Sequence, residues 1–165
     1  MNLQPLSRPF ISCLAILLLS TLAESAEAAE MDFSHWLEDG AGYEAAMKTH
    51  EADARPVVVY FRTDWCPYCR QFEDALLEVP EVIEEMKKMV LVRVNPENGD
   101  AEMQLAARYG VSGYPAMFVH STKAKIAVPV DRTLVLRGRR VMKTPLEFIS
   151  ALRSASVFVP PAKGR

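Results

Sequence analysis

Apolar side chains in this 165-residue sequence recur at two spacings, and the switches between them outline the elements. In "GYEAAMKTHEADAR", residues 42–55, Tyr43, Ala46, Met47 and His50 fall three and four positions apart, which places them on one helix face. Pro56 follows, and helices seldom continue up to the residue before a proline. "VVVYF", residues 57–61, is an unbroken β-branched and aromatic run, as expected of a central strand covered on both faces. In "RQFEDALLEV", residues 70–79, Phe72, Leu76 and Val79 return to helical spacing. Beyond Pro80 the pattern predicts a helix in "EVIEEMKK", a strand in "MVLVRV" and a loop in "NPENG". A helix from Asp100 follows, with Leu105 and Tyr109 on one face and Gly110 as its stop. "AMFVH" and "TLVLR" read as strands, and Thr144 with Glu147 forms a capping box that opens a last helix through about Ala155. The expected fold class is α/β, a mixed sheet of four or five strands flanked by helices.

The first residues follow a different pattern. Residues 10–22, "FISCLAILLLSTL", form an apolar run of about 13 residues, short of the roughly 20 that a membrane span needs. Small residues follow, including Ala26-Glu27-Ala28, the small-x-small pattern of a signal-peptidase site. The expectation is a cleaved secretory signal over residues 1–28, a single domain over 29–155 and a loose tail over 156–165. An uncleaved anchor and a lipoprotein signal are the alternatives; against the latter, Cys13 lies near the start of the apolar run rather than at its end.

Composition adds two constraints. Half the chain is apolar and about a quarter charged, which excludes disordered and collagen-like classes. Residues 29–165 carry 18 basic and 19 acidic side chains, a balance that gives no reason to expect nucleic acid as a partner. The distribution is uneven: residues 29–119 hold 8 basic against 17 acidic, and residues 120–165 hold 10 against 2. Either the two parts neutralise one another on folding, or the basic part is a docking face for an acidic partner.

Candidate chemistry centres on "FRTDWCPYCRQFE", residues 61–73. Loss of residues 1–28 removes Cys13 and leaves Cys66 and Cys69, a pair that an oxidising compartment turns into a disulfide. The pair can be half a zinc site, a structural staple or a redox centre. A structural zinc wants four ligands, and the other soft candidates, His35, His50 and His120, are not spaced as a pair. A staple closing so small a loop stabilises little, because loop-closure stabilisation grows with loop length. The redox reading leads, with no metal and no cofactor expected. The thiols lie between a predicted strand and a predicted helix, with Pro67 suited to the first helical turn.

Three segments carry a resemblance: "DWCPYCR" at the strand-to-helix junction; "GVSGYPAMFV", with Pro115 49 residues after Cys66; and Gly138 followed by "KTPLEFISAL". Together they resemble the thioredoxin-fold superfamily over about residues 42–153, Pro115 matching its cis-proline. Within it, "RPVVVYFRTDWCPYCRQFE" most resembles the extracytoplasmic thioredoxin-like domains at the C-terminus of DsbD-type reductases, including the Phe72-Glu73 pair. The Pro67-Tyr68 dipeptide is that of glutaredoxins, from which Trp65 and the secretory signal separate this chain.

The resemblance implies thiol–disulfide exchange with cysteine-containing protein substrates, recharged by a redox partner such as a membrane reductase or oxidase. It implies no stable membrane anchor after signal cleavage and a periplasmic location. The partial positive charge of a helix N-terminus favours a thiolate, which makes Cys66, at the exposed start of the turn, the expected nucleophile and Cys69 the resolving thiol. Trp65, Pro67 and Tyr68 are expected to support the site, and Arg62 and Arg70 to add positive potential at its surface. Tyr114 and Pro115 are expected to receive an extended substrate strand. Many family members carry a buried aspartate six residues before the nucleophile; Tyr60 stands there, and Glu73 is the candidate replacement. The alternative function is a binding or chaperone-like module whose cysteine pair is redox-sensitive without turnover.

Overall fold

The structure, a computed structural model, describes residues 31–123 and 126–160. The expected secretory segment lies outside the described residues. In chain order the elements are β1 (Leu37–Glu38), α1 (Asp39–Asp53), β2 (Val57–Phe61), α2 (Pro67–Phe72), α3 (Pro80–Met86), β3 (Val90–Val94), α4 (Asp100–Arg108), β4 (Ala116–His120), β5 (Ala127–Pro129), β6 (Thr133–Leu136), β7 (Arg139–Met142) and α5 (Pro145–Ser156). The first five strands form one mixed sheet in the order β1-β3-β2-β4-β5, with β2 parallel to β3 and antiparallel to β4.

All five side chains of β2 are without solvent exposure, and their alternation feeds two cores. Val58 and Tyr60 face Phe72, Leu76 and Leu77 and the α5 residues Phe148 and Leu152. Val57, Val59 and Phe61 face Ala46 of α1 and Leu105 of α4. A strand apolar at every position is stable only in this sandwich, which explains why the run predicts the centre of the sheet.

Four features differ from the sequence expectation. The two-residue β1 and three-residue β5 carry too little pattern to be read from sequence. Thr133–Leu136 do form a strand, but β6 pairs only with β7, in a separate two-stranded hairpin. Its turn is Arg137-Gly138, with φ of +50° and +77°, the positive-φ geometry of a two-residue hairpin loop that glycine tolerates best. The helix after the cysteines is not continuous: α2 passes into a π-helical turn at Glu73–Leu77, where the Glu78 amide donates to the Glu73 carbonyl at 3.0 Å. Within the described part of the expected tail, the Phe158 carbonyl accepts from Ser121 Oγ at 2.7 Å, which ties that residue to the body of the domain.

Pairing between the described residues does not neutralise the charge asymmetry. Among the described residues one ion pair joins the acidic and basic parts, Arg153 to Glu85 at 2.7 Å. Arg153, with Lys88, holds the Glu85 carboxyl down at about 2.

At the end of the sheet away from the cysteines, His120 pairs in register with Val57 and hydrogen-bonds through Nε2 to the Tyr109 hydroxyl. Burial, and then the neighbouring His50, holds its imidazole down at about 4, against an ordinary value near 6.5. The unfolded chain therefore takes up this proton below about pH 6.5 and the folded chain only near 4. Stability should fall as pH drops across that window, by on the order of 1–2 kcal/mol after solvent screening. Urea titrations at pH 7 and 4.5 on the native protein and on His120→Asn should show a smaller pH-dependent loss in the variant.

Gly42 lies inside α1, where alanine is ordinarily preferred by about 1 kcal/mol. Here a Cβ would stand 2.8 Å from the backbone carbonyl carbon of Leu37 and 3.0 Å from its Cβ, pushing α1 off β1. Gly42→Ala should therefore destabilise the protein by roughly 1–3 kcal/mol. Thermal melts decide the sign.

Candidate active site

β2 delivers the chain to the site. The Arg62 amide donates to the Val94 carbonyl at 3.1 Å, extending the ladder one residue past Phe61, and the Cys66 amide donates to Thr63. Cys66 is then the N-cap of α2, its Sγ accepting from the Cys69 amide at 3.1 Å, with Pro67 at the first helical position. Cys66 and Cys69 are joined as a disulfide with Cα atoms 5.3 Å apart.

Cys69 is without exposure and Cys66 is 2% exposed, which corrects the expectation of an exposed first cysteine. Its sulfur is bonded to buried Cys69 and accepts from the Cys69 amide. The two exposed aromatic rings beside the pair are Trp65 and Tyr68, at 62% and 61%. Trp65 is fixed by its indole N–H, which donates to both carboxylate oxygens of Glu97 at 3.0 and 3.1 Å. Tyr68 lies beside exposed Pro67.

Behind the disulfide lies a buried charged cluster. Glu73 follows Cys69 by four residues, one helical turn, and is 2% exposed. The Tyr60 hydroxyl donates to Glu73 Oε1 at 2.9 Å, and Arg62 Nε lies 2.9 Å from the same oxygen. The Arg62 contact is ionic rather than a directed hydrogen bond, since Nε has no aligned acceptor. Arg62 also donates through a terminal nitrogen to Asp64 at 3.0 Å. Burial and then the Glu73 carboxylate push the Tyr60 phenol well above its ordinary range, so it remains a protonated donor.

Arg62 is 2% exposed, not a surface charge as expected, whereas Arg70 is exposed. The sequence did hold a signal for this: Arg62 continues the alternation of Val58 and Tyr60 and so points into the same core. The π-helical turn that begins at Glu73 had no visible signal, because its five residues are ordinary helix formers.

Pro115 reaches the same end of the sheet from the other side. Ala116 pairs with Phe61, so Tyr114 and Pro115 leave β4 where Arg62 leaves β2. The Tyr114–Pro115 peptide is cis. Pro115, Phe72 and residues 131–133 help line a cleft of about 340 Å³ that Arg140 of β7 also borders. A larger apolar hollow of about 730 Å³ lies around Trp36, Leu77 and Met86 and includes neither cysteine. Among the described residues no three of His, Cys, Asp or Glu gather as a metal-ligating group.

The thioredoxin-like family profile matches residues 36–120, from β1 through β4. The chain belongs to the thioredoxin-like family. A curated relative is the thiol:disulfide interchange protein DsbD of Pseudomonas fluorescens, 32% identical over 76 residues, which are 45% of this chain and 13% of that protein. The chain thus spans a small part of that relative's length. Among solved structures, a Thermus thermophilus thioredoxin is 27% identical at a TM-score of 0.54, covering 73% of this chain and 86% of the other. The oxidised C-terminal domain of Neisseria meningitidis DsbD is 25% identical at a TM-score of 0.54, covering 73% and 98%. The likeness to this thioredoxin-like domain agrees with the resemblance carried by residues 55–73.

Removing one partner of a buried ion pair leaves an uncompensated charge, at a cost of about 3–5 kcal/mol. Arg62→Met should therefore lower the stability of the oxidised protein by roughly that much. Adding Glu73→Gln should restore a large part of it, since the stranded carboxylate is gone. Denaturant titration of the two variants measures the coupling.

Proposed function

We propose that the chain is an extracytoplasmic thiol–disulfide oxidoreductase acting on protein substrates. The observation that carries the reading is the Cys66–Cys69 disulfide at the N-terminus of α2 in a thioredoxin-like framework. The N-terminal pattern of residues 10–28 supports export to a periplasmic compartment, and no helix of the described residues is long and apolar enough to cross a membrane.

In the reducing direction the Cys66 thiolate attacks one sulfur of a substrate disulfide. A Cys66–substrate bond forms, and the other substrate sulfur leaves as a thiolate that takes up a proton. Cys69 then gives up its proton and attacks Cys66 Sγ, which expels the second substrate sulfur. Two electrons and two protons pass to the substrate, and the cysteine pair closes. The oxidising direction is the reverse. A thiol–disulfide redox partner restores the pair in either case.

The helix terminus favours the Cys66 thiolate. Glu73, buried one turn beyond Cys69, serves as the carboxylate near the resolving thiol, in the role that an aspartate at the Tyr60 position has in many relatives. Trp65 and Tyr68 offer exposed rings beside the disulfide, and the Tyr114 backbone beside Pro115 receives an extended substrate segment.

Cys69→Ser should accumulate mixed disulfides with substrates through Cys66, because attack persists and resolution is removed. Cys66→Ser should accumulate none. Acid-quenched, alkylated envelope extracts on non-reducing gels read both. Bands from neither variant, together with no reduction of insulin above a dithiothreitol background, would replace this reading by a non-catalytic binding module.

A further inference from the structure

The β6–β7 hairpin lies outside the residues matched by the family profile and outside the main sheet, yet it borders the cleft beside Pro115. Its base is fixed at two points: the Val130 amide donates to the Met117 carbonyl at 2.8 Å, and the Lys143 amide donates to the Arg132 carbonyl at 2.9 Å. Arg132 and Arg140 both line the cleft, with Asp131 as its one acidic residue.

Arg132 Nε is buried and has no hydrogen-bond partner among the described residues. A buried donor of this kind is normally satisfied by protein, water or a ligand. Neither Arg132 nor Arg140 forms an ion pair among the described residues, although residues 131–143 hold five basic side chains against Asp131. Arg132 lines that cleft together with Phe72 of α2 and Pro115. Glu73, whose Oε1 meets Tyr60 and Arg62, makes no ion pair with Arg132 among the described residues.

We propose that Arg132 and Arg140 form a carboxylate-recognition site that selects protein substrates carrying Asp or Glu near the disulfide-bonded cysteine. The proposal rests on the exchange reading above and names its substrate class. The cleft opens beside the strand-receiving Tyr114 and Pro115, so the anion best placed to enter it belongs to the substrate polypeptide. Guanidinium forks pair with carboxylates through two charge-assisted hydrogen bonds, which a glutamine side chain does not reproduce.

The test uses two synthetic peptides with one internal disulfide, flanked by glutamates in one and glutamines in the other, and the reduced protein at low ionic strength. Wild type should reduce the glutamate peptide about tenfold faster, with the ratio falling as salt is added. In Arg132→Gln and in Arg140→Gln the ratio should approach one. Because each ratio is taken within one protein, partial loss of folded material cancels.

A wild-type ratio near one, or a ratio unchanged in both variants, would overturn the site. An equal arginine dependence with oxidised glutathione would overturn the protein-substrate assignment. If wild type reduces neither peptide, the exchange reading fails. The site is then read alone by fluorescence anisotropy with the same peptides carrying serine for cysteine. Tighter glutamate-peptide binding lost in both variants supports it, and equal binding of the two peptides overturns it.

Discussion

The rest of the structure depends on the complete burial of β2. Five consecutive side chains withdrawn from water require cover on both faces, and that demand recruits α1 and α4 to one side and α2, α3 and α5 to the other. It also fixes the centre of the sheet, because only a strand with partners on both edges satisfies its backbone as well as its side chains. The cysteine segment is the continuation of this strand, so the disulfide inherits its position from a fully buried element.

The same burial creates the electrostatic problem behind the disulfide. Alternation along β2 carries Tyr60 and then Arg62 into the α5-side core, where a lone guanidinium is not tolerated. Glu73 answers it, and the π-helical turn that begins at this residue belongs to the same local arrangement. The result is a neutral pair with a phenol donating into it, one helical turn from Cys69. A hydrogen-bond donor therefore occupies the Tyr60 position, and the carboxylate comes from the helix side.

Positive charge is treated differently in the β6–β7 hairpin. Arg153 reaches back to Glu85, but the hairpin arginines enter no ion pair among the described residues, and two of them face the cleft beside Pro115. Among the described residues the basic side chains of the last part of the chain thus make a single ion pair with the acidic part.

Sequence alone determined the elements whose signals are local. The unbroken run at residues 57–61, the capping box at Thr144 and Glu147, and the strand at residues 116–120 all appear where their patterns lie. The cysteine pair between a strand and a helix was legible for the same reason, since a tight turn and an N-terminal proline are local features. The tertiary structure decided what depends on residues far apart in the chain. It left the β6–β7 hairpin outside the main sheet, buried Arg62 against a carboxylate eleven residues on, buried Cys66, and brought Arg132 to a cleft shared with a proline seventeen residues earlier. Hydrophobic period reports whether a position faces a core, but not which charges meet there, because pairing is set by the packing of elements and not by the spacing within one.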